Sequence, residues 1–153
     1  MAVYFLESSA VVKRYAQETG SAWIALLTDP QAGHHLSLAR ITAVEVVAAV
    51  ARRQRGGAFA ATEAAAALAD FADDLAHHYR QVDITVRLIT QVIALAQTSA
   101  LRGYDAIQLA AVLTVHVARE AQGLPRLTLV SADHERNAAA VAEGVLVDDP
   151  NRH

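Results

Sequence analysis

The chain has 153 residues, 54% apolar and 19% charged, which fits one globular domain and excludes a disordered chain. It holds no cysteine, so disulfides and thiolate metal sites are excluded. With 13 Lys+Arg against 16 Asp+Glu the formal charge is -3, which argues against a generally basic, non-specific nucleic-acid binder.

In chain order, residues 3–6 are an apolar run of β-formers that reads as a buried strand, with Glu7 at its carboxyl end. No basic stretch precedes a long apolar run here, and no later window approaches a membrane span, so a cytoplasmic protein with no membrane partner is expected. Ser8 and Ser9 offer capping hydroxyls for a helix whose far end carries Lys13 and Arg14. A short helix over 22–27 follows, closed by Asp29-Pro30 and Gly33, then a second strand over 34–39. From Thr42 an amphipathic helix runs to about Gln54 and stops at Arg55-Gly56-Gly57. An alanine-rich helix over 58–77 completes a long helical hairpin. The rest reads as a strand over 81–84, a helix over 85–99, a helix over 104–121 that is apolar nearly all round, a strand over 127–130, a helix over 133–143 and a strand over 145–147. Residues from 148 onward read as unstructured. Short apolar strands alternating with helices predict an α/β fold, a parallel sheet with helices on both faces.

Four acids stand out, each near the start of a helix: Glu7, Glu45, Asp105 and Asp133. Each has a purely structural reading. Glu7 and Asp105 complement a helix dipole, Asp133 is a helix N-cap, and Thr42-x-x-Glu45 is a capping-box pattern. A common explanation is a carboxylate cage for Mg²⁺ or Mn²⁺, since hard cations take oxygen ligands and ligands gather at the carboxyl ends of strands in open α/β sheets. Paired ions of this kind activate water and stabilise an in-line phosphoryl displacement. No phosphate-binding glycine loop or nucleophile elbow competes, and the pairs His34-His35 and His77-His78 lack zinc-type spacing. The basic runs Lys13-Arg14 and Arg52-Arg53 with Arg55 are either solvated helix faces or contacts to an RNA backbone.

These residues also carry a resemblance. Tyr4-Phe5-Leu6-Glu7-Ser8-Ser9-Ala10-Val11-Val12-Lys13-Arg14-Tyr15 resembles the opening of PIN-domain proteins of the VapC toxin type. Ile41-Thr42-Ala43-Val44-Glu45-Val46, Leu101-Arg102-Gly103-Tyr104-Asp105-Ala106-Ile107-Gln108-Leu109-Ala110 and Leu129-Val130-Ser131-Ala132-Asp133 continue it in the same order. The resemblance implies a single PIN-like domain over residues 1–150 with 151–153 as a tail, built on a five-stranded parallel sheet with the first strand central. It implies a Mg²⁺- or Mn²⁺-dependent endoribonuclease toxin, neutralised by a cognate antitoxin and commonly dimeric. Glu45, Asp105 and Asp133 match the acidic metal-site positions, and Ser9 matches a supporting hydroxyl. The first acid is typically Asp in that family and here it is Glu7, whose extra methylene moves the carboxylate by about 1.5 Å. Two further readings follow. One is a PIN-like module that binds RNA or an antitoxin, with catalysis weakened by Glu7. The other is a receiver-like domain with a phosphorylated acid, disfavoured because the first strand supplies a single acid.

Overall fold

Five short strands set the architecture: β1 (Val3–Leu6), β2 (His35–Ala39), β3 (Tyr79–Val82), β4 (Thr128–Val130) and β5 (Leu146–Asp148). In this computed structural model, which describes residues 1–153, they form one parallel sheet in the order β3-β2-β1-β4-β5. Parallel neighbours require long crossovers, and helices supply them. They are α1 (Ser8–Tyr15), α2 (Ser21–Leu27), α3 (Thr42–Arg55), α4 (Ala61–His77), α5 (Val86–Thr98), α6 (Gly103–Ala121) and α7 (His134–Ala142). The chain builds outward from β1 through β2 to β3, then returns to the other side for β4 and β5. β1 is therefore central, as expected, and the strand order reverses beside it.

Strand side chains alternate between two cores, because successive residues point to opposite faces. Val3, Phe5 and Leu129 enter one core with Leu88 and Val92 of α5, Leu109 and Val112 of α6 and Ala140 of α7. Leu6, Leu36, Leu38 and Val130 enter the other, under Val11 of α1, Ile24 of α2, Val46 of α3 and Phe71 of α4. This two-faced burial explains why the central strand β1 reads as a continuous apolar run rather than an alternating one.

Three segments differ from their sequence reading. The third strand begins at Tyr79, two residues earlier than expected, because pairing with β2 starts at Leu36↔Tyr79. The helix α6, apolar nearly all round, is not buried all round as a core helix would be: Tyr104 is 60% and Val117 61% exposed, while Gln108 and His116 are buried. The end of the chain, expected to be unstructured from residue 148, extends the predicted last strand through Asp148 and adds a 3-10 turn over Pro150–Arg152, and His153 stacks on Trp23 at 4.0 Å. Pro150 packs so closely on Gly20 that a Cβ there would lie 2.2 Å from the Pro150 carbonyl oxygen; with φ at +84°, only glycine fits.

A polar network ties α1 to α4 and β3. Tyr15 Oη donates to Asp74 Oδ2 at 2.5 Å and meets Tyr79 Oη at 3.0 Å. Burial raises both phenols, Tyr79 to about 12 and Tyr15 beyond the ordinary phenol range. A raised folded-state pKa stabilises the fold fully below the unfolded value and loses that contribution as pH rises through the folded value. Lys13, lowered by burial, titrates with the opposite sign, and its contribution is complete above its ordinary 10.5. Stability is therefore expected to fall between pH 10.5 and 12, by about 2 kcal/mol for Tyr79. Thermal melts of wild type and Tyr79→Phe across this range check it: the variant should lose less.

Candidate active site

Glu7 leaves β1 and caps α1 in one step. Its Oε2 accepts from the Ser9 amide at 2.8 Å and from Ser9 Oγ at 2.5 Å. Ser9 Oγ in turn accepts from the Ala132 amide at 2.9 Å, which joins the carboxyl ends of β1 and β4. Asp133 caps α7, with Oδ1 accepting from the Arg136 amide at 3.0 Å, and its own amide donates to Ser131 Oγ at 3.1 Å. The N-cap reading of Asp133 therefore holds, Glu7 rather than Ser8 or Ser9 is the cap of α1, and each of the two carboxylates keeps its second oxygen for another partner.

That partner is Arg136. Its guanidinium pairs with Glu7 Oε1 through Nη1 and with Asp105 Oδ1 through Nη2, and Nη2 lies 3.7 Å from Asp133 Oδ2. Three acids from β1, the first turn of α6 and the cap of α7 thus converge on one cation at the strand carboxyl ends. Glu7 and Arg136 are buried, whereas the side chains of Asp105 and Asp133 remain 23% and 36% exposed. Burial works against the charge on Arg136, but Glu7, Asp105 and Asp133 together outweigh it and raise its pKa.

Glu45 is not among the carboxylates that Arg136 contacts. Gln108, fully buried on α6, directs Nε2 toward Glu45 Oε1 at 3.0 Å, Thr42 Oγ1 at 2.9 Å and Ser8 Oγ at 3.0 Å. The capping box expected from Thr42-x-x-Glu45 does not form. The helix starts from Ile41 in a helical conformation without a side-chain cap, and both box side chains turn to Gln108 instead. Replacing Gln108 with leucine leaves two buried hydroxyls and a carboxylate short of a donor. Gln108→Leu is expected to destabilise the protein by about 1–3 kcal/mol, read from the denaturation midpoint.

The basic residues divide. Lys13, Arg52 and Arg53 line a groove of about 590 Å³ beside the acids, together with Ser9, Glu45 and Tyr104. Lys13 Nζ is committed to Glu18 at 3.2 Å and the Thr19 carbonyl at 2.8 Å, and Arg53 also pairs with Glu18. Arg52 and Arg55 are exposed. Arg14, expected beside them, instead turns toward α4, where Nε donates to Asp74 at 2.8 Å and Nη1 to Thr28 Oγ1 at 2.8 Å. One residue along a helix rotates the side chain by about 100°, so neighbours in sequence serve different faces.

Gln108 and Arg136 escaped the sequence reading. A glutamine in an apolar helix stretch was the available signal for the first. Arg136 had a subtler one: a cation in the first turn of a helix opposes the helix dipole and calls for acids nearby. A second acidic group exists at Asp73, Asp74 and His78, whose ligand atoms lie within 4.8 Å of one another. Asp74 is already held there by Arg14 and Tyr15.

No family model matches the chain. It is 33% identical over 148 residues to ribonuclease VapC45 of Mycobacterium tuberculosis strain CDC 1551, covering 96% of this chain and 95% of the relative. The same values hold for ribonuclease VapC49 of strain H37Rv. Among solved structures, the fold is shared with a chain of a toxin–antitoxin complex from Klebsiella pneumoniae, at TM-score 0.56 and 16% identity over 96% of this chain and 97% of the other. It is also shared with a chain of VapBC2 from Rickettsia felis bound to a promoter DNA fragment, at TM-score 0.59 and 11% identity over 96% and 98%.

Proposed function

The chain belongs to the VapC family of ribonucleases, and on that footing we propose that it is an endoribonuclease toxin that uses Mg²⁺ or Mn²⁺ and is neutralised by a cognate antitoxin in the cytoplasm. The observation that carries the reading is the convergence of Glu7, Asp105 and Asp133 at the carboxyl ends of β1 and β4. Their donors are all carboxylate oxygens, they already collect one positive group, and no soft ligand intrudes. The set therefore fits a hard divalent cation. Glu7, Asp105 and Asp133 would hold it, with Glu45 contributing directly or through water. When bound, such an ion supplies Lewis-acid polarisation of the phosphoryl group and a more acidic water.

The chain's own residues do the rest. Ser9 fixes the Glu7 carboxylate through two hydrogen bonds, and Gln108 fixes Glu45. The adjacent groove offers Arg52 and Arg53 for phosphates, and exposed Tyr104 offers a ring on which a base can stack. Arg55 extends the basic edge at the end of α3. The antitoxin is a partner of this reading, in line with the toxin–antitoxin complexes that share the fold, and a second copy of the chain is the other. No helix is long and apolar enough to cross a membrane.

The test is cleavage of a mixed RNA pool by purified protein in Mn²⁺, Mg²⁺ or EDTA. Fragments that appear with metal and vanish with EDTA are expected. Retarded RNA migration with no fragments under any condition would instead favour the binding module, a reading to which the burial of Arg136 among the acids gives some weight.

A further inference from the structure

We propose that Arg136 is a built-in competitor for the cation site, a guanidinium that must leave the acids before a divalent ion can be held there. The proposal rests on the reading of Glu7, Asp105 and Asp133 as the cation ligands. Arg136 stands where those three carboxylates meet, and it is only 4% exposed. The dipole of α7 disfavours it, because a cation in the first turn opposes the helix dipole. The acids hold it there.

Glu7 is fitted to this arrangement. Its Oε2 is spent on Ser9, and Oε1 still reaches Arg136. An aspartate at this position would carry its carboxylate one C–C bond, about 1.5 Å, nearer the backbone and could not make the Ser9 and Arg136 contacts together without a backbone shift. The longer acid at position 7 and the arginine at position 136 thus act as a pair. The grip is also incomplete, since the buried Arg136 Nε has no acceptor. Three carboxylates against one guanidinium leave a net charge of 3 − 1 = 2 negative, which still attracts a divalent ion. Arg136 therefore weakens metal binding without abolishing it, and it sets the metal concentration at which the site fills.

The test is calorimetric titration of Mn²⁺ into the full chain, as wild type, Arg136→Gln and Arg119→Gln, with circular dichroism to confirm folding. If Arg136 occupies the site nine-tenths of the time, the apparent Kd of wild type is raised about tenfold. Arg136→Gln is expected to bind Mn²⁺ about tenfold more tightly than wild type or better. Arg119→Gln removes the same charge fourteen residues further along, near the far end of α6 from Asp105, and is expected to leave the Kd unchanged. Equal Kd values for wild type and Arg136→Gln, or an equal gain in Arg119→Gln, overturn the proposal. Should Arg136→Gln fail to fold, wild type alone decides by NMR. The Arg136 Nε–H signal must shift on saturation with Mg²⁺, and a static signal overturns the proposal. RNA cleavage is scored separately. Tighter Mn²⁺ binding with no cleavage by any variant keeps the competition and removes the nuclease reading. Metal-dependent cleavage with equal Kd values does the reverse.

Discussion

Asp105→Asn is expected to lower RNA cleavage by about 10²–10³-fold, as loss of a single preorganised electrostatic group does in other sites. The fold should survive. Asp105 sits in the first turn of α6 with its side chain partly exposed, and its one side-chain partner is Arg136. Asparagine has the same shape and keeps an oxygen for that guanidinium. What it lacks is the negative charge that a divalent cation requires. Cleavage rates in Mn²⁺, set beside the thermal midpoint of each protein, check both halves of the expectation. A folded variant that still cleaves in a metal-dependent way would remove Asp105 from the site.

The second large effect is on stability. Phe5→Ala is expected to cost about 3–5 kcal/mol, the usual range for a buried phenylalanine. Total stabilities run at about 5–15 kcal/mol, so this change consumes a large share. Phe5 is 1% exposed in the central strand, with Ser37 of β2 on one side and Leu129 of β4 on the other. Glu7 follows two residues later, just past the end of β1, so a loosened β1 also moves the acid. Urea denaturation checks the cost as a lower midpoint at unchanged slope. Val86→Ala, at a position 86% exposed, should stay within about 0.5 kcal/mol of wild type.

Much of the fold was legible because the local signals agree with the tertiary outcome. The run Val-Tyr-Phe-Leu has no polar interruption, as a central parallel strand buried on both faces requires, and Ser8 and Ser9 start a helix directly after it. Boundaries were less legible. Whether Tyr79 extends α4 or opens β3 depends on Leu36 across the sheet, which no local pattern contains. The end of the chain carries few apolar residues, and its order comes from β4, Trp23 and Gly20.

The four acids were visible as types in favourable places, since a carboxylate at a helix start has both a structural and a chemical use. Their grouping was a matter of topology. By itself the sequence determined the class of fold and the four isolated acids at helix starts, because these follow from periodicity and residue chemistry, while the central place of the first strand was implied by the family resemblance. Only the tertiary structure decided that Glu7, Asp105 and Asp133 share one cation, that Glu45 turns to Gln108 instead, and that Arg136 is the group between the three acids. Glu7 and Asp105 lie about a hundred residues apart, and their electrostatic coupling exists once β1, α6 and α7 are packed at one end of the sheet.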